Sequence, residues 1–238
     1  MLKEVVLLQL KNNPIYQKNL DKILKYLKEL PKEAIIVAPE VCLTDYDYEN
    51  LEEAVKFGEY ALDELKKAVN SQILVLTLLR KVNDSYINQA VVIHKNKIVH
   101  KQAKHRLFKL GDEHKFLEAG DDKEIVKFKI DNIEYGLLIC FELRYKELWQ
   151  KLEGADIILV PSQWGEPRKR HLEILGSALA IMNQCYCLIA NSSKEGMASS
   201  SAIYSPMGGK VIDDASECIR GFIDLKQVKF TRRYLKLY

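Results

Sequence analysis

Residues 136–148, GLLICFELRYKEL, run from apolar to charged, with one cysteine, Cys140, at the junction. Upstream, residues 133–139 (IEYGLLI) are short, apolar and flanked by polar residues, as in a strand buried on both faces. Downstream, residues 141–152 repeat apolar positions at helical spacing, which predicts a helix from Phe141 to Leu152. A side chain at such a strand end points into the crevice where α/β sheets bind ligands. Free cysteine is also among the most buried residue types, so Cys140 alone reads as core before it reads as a nucleophile.

Moving outward toward the amino terminus, residues 4–10 (EVVLLQL) are strand-like. Asn13 and Pro14 then open a helix carrying Ile15, Leu20, Ile23, Leu24, Leu27 and Leu30 on one face. Residues 34–38 (AIIVA) form a buried strand that ends in Pro39 and Glu40. Proline has no ladder amide to give there, and a carboxylate must be solvated or used. A helix over 51–69 and a strand over 71–79 complete a βαβαβ order, which favours parallel pairing with helices on a face. Residues 87–93 and 97–103 read as a hairpin around Lys95 and Asn96, and 123–130 pairs with 133–139 across Asp131 and Asn132, so the sheet is mixed. Between them, residues 104–120 (KHRLFKLGDEHKFLEAG) show no clean period, and a loop of that length in a compact fold is more often functional than most.

Toward the carboxyl terminus, a buried strand over 156–161 ends in Ser162, Gln163 and Trp164, and a helix over 168–183 follows. Strands over 185–190, 202–205, 209–213 and 220–225 come next. Strand and helix alternation thus occurs twice. The tail, 226–238, is basic with interleaved aromatics and is expected to be a packed arm or subunit contact, since a few charges make too small a patch for nucleic acid.

The 238 residues, 47% of them hydrophobic, can fill one large core, and a single domain over 1–238 is expected, with 226–238 as its arm. Thirty-six basic and 33 acidic residues are interleaved to a net +3, which calls for neither nucleic acid nor membrane as partner. No apolar run approaches the ~18 residues of a membrane span, and MLKEVVLLQLK lacks a cleavage-type small-residue site, so a cytoplasmic protein is expected. The five cysteines make no CxxC pair. His105, His114 and His171 fall at no zinc spacing, so reduced thiols, no metal and no cofactor are expected.

Three chemically capable residues remain at strand ends or in the charged loop: Glu40, Lys104 and Cys140. Together they suffice for amide hydrolysis. The cysteine attacks as thiolate, the carboxylate acts as base and then acid, and the ammonium stabilises the oxyanion. The amide of Phe141, at a helix start, is a natural second oxyanion donor. Singly, each residue reads more blandly, as a cap, a solvated charge and a core thiol.

Their order and context resemble the nitrilase superfamily of carbon–nitrogen hydrolases over nearly the whole chain. Pro39 and Glu40 match its first motif, residues 104–108 (KHRLF) its second, and residues 140–145 (CFELRY) its third. Pro167, Arg168 and His171, then Ala180, Ile181, Asn183 and Gln184, then Ser201, Ile203, Pro206 and Gly208 are similar to its later segments. The resemblance implies a four-layer αββα sandwich with two mixed central sheets, a Cys140–Glu40–Lys104 triad, a thioester intermediate and a homodimer or larger assembly. That assembly would have the Cys140 region or the 168–183 helix near the contact. The loop after Lys104 is similar to the branch that includes omega-amidases, which implies that Glu113 is a second, positioning glutamate. Departures are Asp45 for a frequent glycine, Glu142 for aspartate, Lys146 for proline and Met182 for glutamate.

The expected activity is hydrolysis of a small amide, an ω-amide of a short dicarboxylic acid, with release of ammonia. The alternatives are an N-carbamoyl amino acid amidohydrolase of the β-alanine synthase type and a non-catalytic thiol sensor. Trp164 and Arg168, just past a strand end, are expected to line the substrate pocket with Phe141. Arg144 is expected to make a structural salt bridge to a carboxylate.

Overall fold

The chain is described from a computed structural model over residues 2–237, so Tyr238, the last residue of the expected arm, lies outside the described residues. Its strands form where runs of Val, Ile and Leu can be buried on both faces. β1 (Leu2–Leu8), β2 (Ile35–Val37) and β3 (Ile73–Val82) pair in parallel register. β4 (Ser85–His94) and β5 (Lys97–Ala103) extend this sheet antiparallel on one side, and β12 (Cys218–Asp224) on the other. The second sheet repeats the plan. β7 (Ile133–Leu137), β8 (Ile157–Ser162) and β9 (Tyr186–Asn191) are parallel, and β6 (Phe128–Ile130), β10 (Ala202–Tyr204) and β11 (Lys210–Ile212) are antiparallel outside them.

Alternation along each strand sorts its side chains into layers. Val5, Leu7, Ile35, Val37, Ile73 and Val75 of the first sheet join Tyr135, Leu137, Ile157, Leu159 and Leu188 of the second in one core between the sheets. The intervening Val6, Leu8, Ile36, Leu74 and Leu76 point the other way. They meet Leu20, Ile23 and Leu27 of α1 (Tyr16–Glu29) and Ala61, Leu62 and Leu65 of α2 (Leu51–Ala68). On the outer face of the second sheet lies α5 (Lys169–Met182), held close by Gly176. A Cβ there would stand 2.5 Å from Ile189 Cδ1 and 2.7 Å from Tyr204 Cε2. The result is the αββα sandwich that the resemblance implied.

Four local expectations are corrected. The helix expected over 141–152 is broken into a tight 3₁₀ turn, Cys140–Arg144, and a short helix α4, Lys146–Lys151, because Tyr145 is extended (φ −103°, ψ 99°). Residues 104–120 contain a 3₁₀ turn, Lys109–Gly111, and the single turn α3, Glu113–Phe116. The strand expected over 123–130 shrinks to β6, because the Asp121 side chain takes the Lys123 amide (3.0 Å) and starts a 3₁₀ turn instead. Most of the expected arm is the helix α6 (Leu225–Tyr234), with Leu225, Val228 and Thr231 buried and the Asp224 side chain accepting from the Lys226 amide (3.0 Å). Among the described residues no helix is long and apolar enough to cross a membrane.

Candidate active site

The site gathers where the parallel strands of the two stacked sheets finish. Glu40 lies just beyond β2, and its amide donates to the Ser162 carbonyl at the end of β8 (3.2 Å). Lys104 follows β5, and its amide donates to the Asn88 carbonyl (2.8 Å). Cys140 opens the 3₁₀ turn after β7 with φ of +49°, a left-handed conformation that a non-glycine residue holds only when its surroundings impose it. One of the residues imposing it is Glu142, fully buried. Its carboxylate accepts from the amides of Ile139 (2.7 Å), His105 (2.7 Å) and Arg106 (3.4 Å). The turn carrying the cysteine is thereby tied to the loop carrying the lysine.

Lys104 is wholly buried, as are Glu40 and Glu113 to within a few per cent. Its ammonium donates to Glu113 Oε1 (2.5 Å), Glu40 Oε1 (2.8 Å) and the Tyr46 hydroxyl (3.2 Å), which uses all its N–H groups. Burial alone would drive the proton off, but the two carboxylates outweigh it and hold the amine charged, above its usual range. Glu113 is fixed in turn by the Phe108 amide (2.8 Å). Glu40 Oε1 also accepts from Tyr46 (2.6 Å) and from Asn88 Nδ2 (2.9 Å). Three donors thus converge on Oε1.

The Cys140 thiol is pushed well above its usual value by burial and by the negative charge of Glu40, which also hydrogen-bonds it; Lys104 and the Gln163 amide (3.4 Å to Sγ) pull the other way. The resting group is a neutral thiol.

Beside Sγ opens a small cleft, lined by Cys140, Phe108, Phe141, Arg144, Gln163, Trp164 and Arg168. Phe141, Trp164 and Arg168 therefore lie where the sequence puts them. Arg144 does not make the salt bridge expected of it. Its guanidinium lies over the Trp164 ring (4.6 Å to the centroid) and donates to His171 Nδ1 (3.0 Å), which leaves it facing the cleft. Arg168 lies over the Phe108 ring (5.1 Å), and among the described residues neither arginine has a carboxylate partner. Burial, then the charge of Arg168, lowers the Arg144 pKa, the strain of two cations sharing one wall.

Residue-by-residue reading missed Tyr46, Asn88 and Gln163. Asn88 left a trace, a polar side chain inside the apolar strand INQAVVI. Among the described residues no group of three or more His, Cys, Asp or Glu side chains is arranged to hold a metal ion.

Comparison with known proteins bears on the family and the fold. The carbon–nitrogen hydrolase family model matches residues 5–233. The 2-oxoglutaramate amidase of Bacillus subtilis (strain 168) is 29% identical over 235 residues, 92% of this chain and 90% of that protein. Omega-amidase YafV of Escherichia coli (strain K12) is 25% identical over 169 residues, 71% of this chain and 65% of that protein. The crystal structure of Saccharomyces cerevisiae Nit3, a member of branch 10 of the nitrilase superfamily, superposes with a TM-score of 0.87 at 21% identity, covering 99% and 95% of the two chains. The chain belongs to the carbon–nitrogen hydrolase family, and it is an enzyme of that class.

Glu142 gives this site a measurable pH signature. Burial raises its carboxyl from the ordinary 4.5 to about 7, against the Ile139, His105 and Arg106 amides that hold it down. A raised folded value means that proton uptake stabilises the fold fully below 4.5 and that this contribution is lost as pH rises through about 7. Thermal denaturation of Glu142→Gln across that range should show a flatter decline in stability toward neutral pH than the unaltered chain. An unchanged decline would mean that Glu142 does not titrate there.

Proposed function

We propose that the chain hydrolyses the terminal amide of a short dicarboxylic acid monoamide, releasing ammonia through a thioester on Cys140. The observation that carries this reading is the cleft itself, where a thiol beside a carboxylate and an ammonium shares one wall with two arginines that lack carboxylate partners. Arginine is the side chain whose fork matches a carboxylate. A substrate laid along the cleft would place its carboxylate on Arg144 and Arg168 and its amide carbon at Sγ.

The chemistry follows from the positions. Glu40 takes the thiol proton as Sγ attacks the carbonyl, and the oxyanion faces the Phe141 amide and Lys104. The 3₁₀ turn leaves its first amides without internal acceptors, which suits Phe141 to this task. Lys104 has no spare N–H, so the oxyanion would displace its longest bond, the one to Tyr46. In a site this dry, such a fixed charge does far more than in water, and losing one oxyanion donor typically costs ~10²–10³-fold in rate. Glu40 then hands its proton to the departing nitrogen, the C–N bond breaks and ammonia leaves. Water, deprotonated by Glu40, attacks the thioester; the carboxylic acid leaves and the thiol is restored. The names of the relatives, 2-oxoglutaramate amidase and omega-amidase, point the same way.

The assignment is tested by measuring ammonia and carbon dioxide release from monoamides of short dicarboxylic acids, neutral short amides and N-carbamoyl amino acids. The monoamides should turn over fastest with ammonia alone. Arg144→Met should raise KM for them by ~10-fold or more, the value of a charge-assisted hydrogen bond, and change little for neutral amides. Faster turnover of carbamoyl substrates, with both gases released, would replace the proposal.

We propose also that copies of the chain pair through the face formed by the ends of α5 and α6. Those ends are joined by a bond from Gln184 Nε2 to the Leu235 carbonyl (2.7 Å), and Ile174, Ile181, Phe230 and Tyr234 are exposed on the two helices. Apolar exposure of this kind marks contact surfaces, and two-fold pairing is the commonest way to cover one. Light scattering should give a dimer or larger closed assembly, and Ile181→Glu should shift it toward monomer; a monodisperse monomer would contradict the pairing.

A further inference from the structure

A pair of charged residues absent from the chemistry above, Asp45 and Lys194, is tied to the cleft through Gln163. Asp45 sits in left-handed backbone, φ +58°, which a side chain adopts at a cost and glycine adopts freely. Its carboxylate binds Lys194 on one oxygen. The other accepts from Gln163 Nε2 (2.9 Å) and from the Tyr46 amide (2.9 Å). The first two ties span 149 and 118 residues of sequence, so three separate loops meet at this carboxylate. Burial raises the Asp45 carboxyl, but the bonds from Lys194 and Gln163 outweigh it and keep it below the usual range, so Asp45 is an anion and can only accept.

That fact settles which way the Gln163 amide points. Its nitrogen must face Asp45, and its carbonyl oxygen, which accepts no hydrogen bond from the described residues, must face away from it. Gln163 lines the cleft, and its own backbone amide lies 3.4 Å from Cys140 Sγ. The side chain runs from the nucleophile toward the segment whose next residue, Tyr46, donates to Glu40 (2.6 Å). The leaving nitrogen must sit within reach of Glu40, which delivers its proton.

We infer that Gln163 is a specificity-determining residue whose side-chain oxygen accepts a hydrogen bond from the N–H of the scissile amide, and that Asp45 and Lys194 are positioning residues that hold it in that orientation. The inference rests on the assignment of Cys140 as nucleophile toward small amides. It explains what the triad alone does not, namely how the site recognises an amide nitrogen and not merely a carbonyl. Below the carboxylate-binding end of the cleft, an ester or acid of the same shape offers no N–H, and Gln163 would then face it with an unpaired acceptor.

The test compares the monoamide with the methyl ester of the same acyl group. In Gln163→Leu the ratio of kcat/KM for amide over ester should fall ~10-fold, the size of one hydrogen bond. In Asp45→Asn, whose side chain can accept or donate and so lets the Gln163 amide flip, the ratio should fall by a smaller factor. A purely structural role would lower both substrates together and leave the ratio unchanged; that result overturns the inference. Should Gln163→Leu not fold, the ratio in Asp45→Asn decides alone. Cys140→Ala separates the two levels of the argument: full amide turnover in that variant removes the nucleophile assignment itself, whereas its loss with an unchanged ratio in Gln163→Leu removes only the role of Gln163.

Discussion

Everything at this site depends on a single buried cation. Lys104 has lost all contact with water and is held between two carboxylates, Glu40 and Glu113. Desolvating an ammonium costs several kcal/mol, and removing one partner of such a group leaves an uncompensated charge that costs ~3–5 kcal/mol. The arrangement therefore demands rigidity. The Phe108 amide fixes Glu113, and Tyr46 and Asn88 fix Glu40. With the thiol neutral, the three charged groups sum to one negative charge beside Cys140. Burial, with the negative charge of Glu40, keeps the sulfur protonated, so the thiol and the carboxylate beside it are coupled electrostatically.

The fold supplies that rigidity by putting each participant at the end of a different buried strand. Glu40 follows β2, Lys104 follows β5, Cys140 follows β7 and Gln163 follows β8, and these strands belong to two sheets pressed face to face. The bond from the Glu40 amide to Ser162 links the sheets at their ends, and the Glu142 carboxylate links the cysteine turn to the lysine loop. A site built from loops on so stiff a frame is positioned without needing helices of its own. This is why the short 3₁₀ turn at Cys140 can hold a left-handed residue.

The alternation of strands and helices was readable from the sequence because it rests on long-range regularities, whereas the layered sandwich came from the family resemblance. Seven-residue apolar runs and two amphipathic helices name their own partners, and residues 51–69 and 168–183 are helices within a residue of where their periodicity puts them. The family was readable from three ordered motifs, and the residues in them are brought together. What was not readable depends on side chains capturing backbone groups. Glu142 and Asp121 each take an amide that a helix or strand pattern assumes is free, which shortens the element expected there. The contribution of Tyr46 was hidden because it comes from a polar loop, TDYDY, where left-handed backbone at Asp45, and at Val41 just before the loop, accompanies its return to Glu40. Arg144 was misread because a carboxylate near it in sequence, Glu142, is already taken by backbone amides.

The central claim is that Cys140 forms a covalent acyl intermediate with Glu40 as its proton carrier. The direct test is intact-mass spectrometry of Glu40→Gln quenched during reaction with the monoamide of a short dicarboxylic acid. The account predicts a mass increase equal to the acyl group, mapped to the peptide containing Cys140 and absent from Cys140→Ala. Ammonia release that continues undiminished in Cys140→Ala, with no adduct in either variant, would contradict it.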